Sequence, residues 1–246
     1  MLRSAFLVAI GILVTGFISI FIVVMYPAFP RGEYTVHRLG IMWARFLLFI
    51  ANVKVDVIGK ENALIGKPQI FMANHQSWFD IFIVFAHIPA QFSWIAKKEL
   101  FSIPFFGTAL RRLGTIEIDR KHHASALKSI DAAAQKIRDG KSVVTFPEGT
   151  RSMDGEIQPF KKGVFHLALK SGVPIVPISI VGSREIMPKK SLKIHPGKIV
   201  MVIGEPIEID GYSVETIEEL ITRVRTAIAG NYYERRAERI RSSGVI

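Results

Sequence analysis

A histidine and an aspartate five positions apart carry the strongest chemical signal in this chain. They lie in Asn74-His75-Gln76-Ser77-Trp78-Phe79-Asp80, between an apolar run ending at Ala73 and another starting at Ile81. A neutral imidazole accepts a proton near neutral pH, and a carboxylate that takes its other ring N–H fixes the tautomer and stabilises the cation. Of the seven histidines, only His75 has a carboxylate at this spacing. His75 and Asp80 are the candidate general base and its orienter. The plainer alternative is a helix start, with Ser77 as cap and Asp80 as a capping-box acid.

A second stretch combines complementary groups. Phe146-Pro147-Glu148-Gly149-Thr150-Arg151-Ser152 joins an acid, a flexible glycine, a hydroxyl and a guanidinium. Such a loop offers backbone N–H groups and a bidentate fork to a phosphate, with Glu148 placed to accept from hydroxyls or to orient basic neighbours. The alternative is a polar surface turn, for which Pro-Glu-Gly-Thr is suitable.

Both stretches follow short β-rich runs, so elements of an α/β fold must position them. Candidate strands are Val53 to Ile58, Gln69 to Ala73, Gln91 to Ala96, Thr115 to Ile118, Lys141 to Phe146, Ile175 to Val181 and Lys198 to Ile203. Several are apolar throughout, as strands buried on both faces should be. Helical spacing recurs at Leu127, Ile130, Ala134 and Ile137 before Gly140, and at Val214, Ile217, Ile221, Val224 and Ile228. The expected architecture is a mixed, largely parallel sheet flanked by helices. His75 and Glu148 then sit at the carboxyl ends of strands, where active sites of open α/β sheets gather. Ser77 caps a helix beginning at Trp78.

Residues 1–52 are set apart from this α/β domain at 53–246. Ala5 to Met25 is uncharged and as a helix would reach roughly 31 Å, enough to cross a hydrocarbon layer. Proline and glycine between Tyr26 and Gly32 end that helix. Leu39 to Ile50 is shorter and carries Trp43 and Arg45, which suits an interfacial segment. Either the first helix crosses, or the pair forms a hairpin in one leaflet. Arg31, Arg38 and Arg45 place the catalytic side in the cytoplasm by the positive-inside bias, against a cell's inner membrane.

Composition agrees. The chain is 49% hydrophobic and carries a formal charge of +11. A chain both apolar and basic suits an anionic lipid surface. Nucleic acid is not an expected partner, because the phenylalanines fall within apolar runs rather than among the basic residues. The absence of cysteine excludes thiolate nucleophiles, disulfides and thiolate metal sites. No metal-binding or nucleotide-binding motif occurs, and no cofactor is expected. Two basic clusters, at Lys189, Lys190 and Lys193 and at Arg235, Arg236, Arg239 and Arg241, read as solvated faces able to attract anionic headgroups.

The motifs together resemble those of the glycerolipid acyltransferase family, most of all its bacterial 1-acyl-sn-glycerol-3-phosphate acyltransferases. Asn-His-x4-Asp at His75 and Asp80 is followed, 73 residues after His75, by Glu148 in Phe-Pro-Glu-Gly-Thr-Arg-Ser. Gly114, Ile118 and Arg120 match an intermediate motif in which Glu117 replaces a usual phenylalanine. Val173-Pro174-Ile175-Val176-Pro177-Ile178 matches a fourth, and Ala96-Lys97-Lys98-Glu99-Leu100 and Pro159-Phe160-Lys161-Lys162-Gly163 are further likenesses.

The resemblance implies transfer of a fatty acyl group from acyl-CoA or acyl-carrier protein to the sn-2 hydroxyl of lysophosphatidic acid. His75 and Asp80 would be catalytic, and attack direct. Arg120, Arg151 and one of Lys97 or Lys98 would hold the acceptor phosphate, with Glu148, Gly149 and Thr150 in the acceptor site. Other lipid acceptors, a membrane-anchored thioesterase and a non-catalytic lipid-binding module are the competing readings.

Overall fold

Seven apolar, mostly β-branched runs become seven strands, in one sheet. The computed structural model describes residues 1–118 and 123–242. The strands are β1 (Val53–Ile58), β2 (Ile70–Ala73), β3 (Phe92–Lys97), β4 (Ile116–Ile118), β5 (Ser142–Thr145), β6 (Ile175–Val181) and β7 (Gly197–Ile203). Their order across the sheet is β1-β7-β6-β2-β5-β3-β4. Pairing is parallel except between β6 and β7, where Ile178 lies opposite Ile203. Each strand begins within one residue of the expected position.

Helices cover both faces, and the strand residues divide between them by the two-residue period. Phe71 and Ala73 of β2 point into one core, while Ile70 and Met72 point into the other. The first core is closed by α1 (Leu2–Met25), α2 (Gly32–Ile50), α3 (Phe79–His87) and α4 (Phe106–Arg112). The second is closed by α5 (His123–Arg138), α6 (Lys162–Ser171) and α8 (Ile217–Ser242), while α7 (Ser183–Ile186) is a single turn after β6. Central strands β2, β5 and β6 are buried at every position. β4 is an edge strand, and there Glu117 is only half-buried.

Two helix starts differ from expectation. Val214 precedes α8 and is exposed, whereas Ile217, Ile221, Val224 and Ile228 are buried as their spacing requires. α2 begins at Gly32, seven residues before its apolar run. Glu33 accounts for the early start, since its carboxylate receives Lys141 Nζ at 2.6 Å and ties the first turn to the sheet.

α1 and α2 are no detached appendage. Leu7, Ile22, Val36, Ala44 and Leu48 belong to the same core as the strands, and the boundary expected at 52 falls in the tight turn between α2 and β1. Arg3 donates to the carbonyls of Ile194 at 3.1 Å and Ala51 at 2.9 Å, fastening the start of α1. Near its other end, the Arg112 guanidinium lies 4.2 Å from the Tyr26 ring centre. Between these ties Phe6, Ile12, Leu13, Phe17, Phe21 and Val24 remain exposed.

Candidate active site

β2 ends at Ala73, where it is still paired with β6, and the chain then leaves the sheet. Asn74 sets the turn. Its fully buried amide donates to the Ile180 carbonyl at 2.9 Å and accepts the Ile180 N–H at 2.7 Å, so a side chain takes the place of the next ladder pair.

His75 follows with its backbone and ring all held. Its N–H donates to Glu148 Oε1 at 2.7 Å, and its carbonyl accepts the Ser152 N–H at 2.8 Å. Nδ1 lies 2.8 Å from Asp80 Oδ2. An ionised carboxylate only accepts, so the proton of a neutral imidazole sits on Nδ1 and the Nε2 lone pair is left for a substrate. The ring stacks on Phe146, with centres 3.9 Å apart and planes 11° apart, which fixes its remaining rotation.

Asp80 is fully buried in the first turn of α3. Its Oδ2 also accepts the N–H groups of Gln76 at 2.7 Å and Ser77 at 2.8 Å. The capping-box and orienting roles therefore meet in one oxygen. The helix starts at Phe79, whose N–H donates to Ser77 Oγ at 3.2 Å.

The loop after β5 supplies the other wall. Gly149, at φ 71°, adopts the left-handed conformation that permits its tight turn, closed by its N–H to the Phe146 carbonyl. Gly149, Thr150 and Arg151 line a cavity of about 460 Å³ together with His75, Trp78, Phe146, Lys97 and apolar residues of α1, α2 and α4. The Arg151 guanidinium lies 4.5 Å from the Trp78 ring centre, an arrangement that desolvates it partly while keeping the charge at the wall.

Glu148 has a different place from the one its motif suggests. It is 2% exposed, and its oxygens take the N–H groups of His75 and, at 3.0 Å, Gln158. It lies behind the cavity wall rather than on it, because two backbone donors capture the carboxylate. Burial raises its pKa to about 7, against the opposing pull of those two N–H groups. Gln76 braces the same region, its amide donating to the Gly155 carbonyl at 2.8 Å and to Tyr232 Oη at 2.9 Å.

Of the expected cations, Lys97 and Arg151 line the cavity. Lys98 starts the short helical turn Lys98–Ser102 and is not among the lining residues. Arg120 lies outside the described residues. The second basic cluster is engaged within the protein, Arg235 with Glu238 and Arg236 with Glu156, each at 2.8 Å. His37 is buried against Phe92 with ring centres 4.8 Å apart, and burial lowers its pKa to about 4. It is a neutral packing group.

Two parts of the site carried no recognised signal in the sequence. Thr15, Ile18, Ser19 and Ile22 of α1 line the cavity, and the i, i+4 pairing of Thr15 with Ser19 within an otherwise apolar helix was the available clue. Lys189 lines it too, from what read as a solvated cluster.

Known proteins share this sequence pattern and fold. The family model described as Acyltransferase matches residues 54–181. The chain is 32% identical over 221 residues to the 1-acyl-sn-glycerol-3-phosphate acyltransferase of Pseudomonas aeruginosa, covering 88% of this chain and 83% of that one. It is 31% identical over 229 residues to a Chlamydomonas reinhardtii protein of the same name, covering 92% of this chain and 67% of that one. Against plant and algal relatives it spans 50% to 70% of their length. The crystal structure of the 1-acyl-sn-glycerophosphate (LPA) acyltransferase PlsC from Thermotoga maritima superposes with a TM-score of 0.84 at 29% identity, covering 96% of this chain and 95% of that one. The match of the family model over residues 54–181, which spans both the Asn74–Asp80 and the Phe146–Ser152 stretches, on a shared fold, makes this chain a member of the acyltransferase family, whose enzymes are O-acyltransferases.

Proposed function

We propose that the protein transfers a fatty acyl group from a thioester to the sn-2 hydroxyl of 1-acylglycerol-3-phosphate, giving phosphatidic acid. The observation that carries this reading is the His75–Asp80 pair, 2.8 Å apart, at the wall of an apolar cavity that also presents Lys97 and Arg151. An acyl acceptor with a phosphate and a hydrocarbon tail matches both kinds of wall.

In the proposed reaction His75 Nε2 removes the proton as the hydroxyl oxygen attacks the thioester carbonyl. The tetrahedral intermediate collapses with loss of the thiolate, and the imidazolium returns its proton to the sulfur. Asp80 holds the ring and compensates its transient charge. The attack is direct, the chain offering no cysteine and no serine or threonine hydroxyl hydrogen-bonded to the His75 ring among the described residues. Acyl-CoA and acyl-carrier protein both present the required thioester. A second apolar space of about 720 Å³, between α1 and residues such as Phe82, Ile103 and Phe105, shares Thr15, Ser19, Trp43, Trp78, Ile81, Leu100 and Phe106 with the first. It has room for hydrocarbon.

The membrane reading rests on α1. Leu2–Ala28 is long and apolar enough to cross a bilayer. Both of its ends, however, are tied to the catalytic domain, which favours the one-leaflet hairpin over a crossing helix, with the exposed apolar side turned to lipid. The cytoplasmic face of an inner membrane is the proposed location.

Incubating purified protein with acyl thioester and lysophosphatidic acid tests the reaction. Phosphatidic acid is the expected product. Thioester cleavage that proceeds at the same rate without the acceptor would replace this reading with a hydrolase.

A further inference from the structure

We propose that Lys189 is a ligand of the acceptor's phosphate and sets the preference for a terminal phosphomonoester; the assignment rests on the acyl-transfer reading above. Lys189 belongs to the segment after α7 and is far from both catalytic stretches in sequence. Ser77 brings it there, since its Oγ donates to the Met187 carbonyl at 2.8 Å and pins this segment to the loop that carries His75. Lys189 then lines the cavity beside His75, Thr150 and Arg151.

The ammonium is only partly engaged by protein. Nζ donates to the Arg151 carbonyl at 2.6 Å and to Thr150 Oγ1 at 3.1 Å. A lysine ammonium has three N–H donors, so one is left for a ligand. The surrounding charge calls for an anion. Lys97, Arg151 and Lys189 line this cavity, and no aspartate or glutamate is among the described residues that do. Cations at an apolar space whose lining carries no carboxylate are stabilised by a bound anion, Asp80 acting on Arg151 only from behind His75, and two cations on one wall, Arg151 and Lys189, favour a dianion over a monoanion. A phosphomonoester supplies two charges near neutral pH, whereas a phosphodiester supplies one and a monoacylglycerol none. The same lysine also fixes the Arg151 carbonyl, so the two cations are held in register.

The test compares wild type with Lys189→Met, which keeps the stem, and Lys189→Arg, which keeps the charge. Lysophosphatidic acid and monoacylglycerol serve as acceptors. Loss of one charge-assisted hydrogen bond predicts that KM for lysophosphatidic acid rises about 10- to 100-fold in Lys189→Met. Lys189→Arg should recover most of this, while KM for the thioester and the rate with monoacylglycerol stay at wild-type values. An unchanged KM for lysophosphatidic acid in Lys189→Met would overturn the assignment. So would equal losses in both variants with both acceptors, which would mean that Lys189 only braces the loop. If wild type makes no phosphatidic acid, the acyl-transfer reading itself fails and takes this assignment with it.

Discussion

Glu148 Oε1 accepts the backbone N–H of His75 at 2.7 Å, joining two loops 73 residues apart. The acid of the second motif thus holds the histidine of the first through its main chain. Glu148→Ala strands two N–H donors, and each unsatisfied buried donor costs about 1–3 kcal/mol. The expected result is a destabilised protein, read by urea melts, whose kcat falls while KM for both substrates holds. A loss confined to acceptor KM would instead put Glu148 on the substrate.

The raised pKa of Glu148 gives a pH signature. Its value of about 7 lies above the ordinary 4.5, so the folded state holds this proton more tightly than the unfolded chain. The resulting stability is fully present below pH 4.5 and is lost as pH rises through 7. Glu148→Gln cannot titrate. Relative to wild type it should gain up to roughly 3 kcal/mol between about pH 5 and pH 8. Parallel stability curves for the two proteins would contradict the burial argument.

His75→Ala should lower kcat by about 10²- to 10⁴-fold, the usual worth of a general base. Asp80→Asn loses the carboxylate that Nδ1, Gln76 and Ser77 share, so both turnover and thermal stability should fall. Full turnover in the His75 variant would remove it from the chemistry.

The absence of cysteine makes the arrangement of α1 directly testable. Single cysteines placed by Ser4→Cys, in the first turn of α1, and Arg31→Cys, beyond its other end, mark the two ends of the helix. In sealed vesicles, a membrane-impermeant thiol reagent should reach both from the same side. Labelling from opposite sides would show that the helix crosses.

The strands were legible because their apolar runs lie between turn residues, and the three central ones are buried on both faces. His75 and Asp80 were legible because their partnership is local, spanning one turn. The inward turn of Glu148 was hidden for the opposite reason. Pro-Glu-Gly-Thr has the composition of a surface turn, and only the distant N–H groups of His75 and Gln158 draw the carboxylate inward. Lys189 depends likewise on the Ser77 contact with Met187, across 110 residues, which no local pattern encodes. The early start of α2 is set by Lys141, 108 residues from Glu33.

Asn74 has one more effect. By occupying both the N–H and the carbonyl of Ile180, its amide stops β2 and β6 from zipping further together. The strand that leads into His75 is thus moored to β6 by a side chain where its own backbone leaves the ladder, and the loop departs from a fixed point at the centre of the sheet.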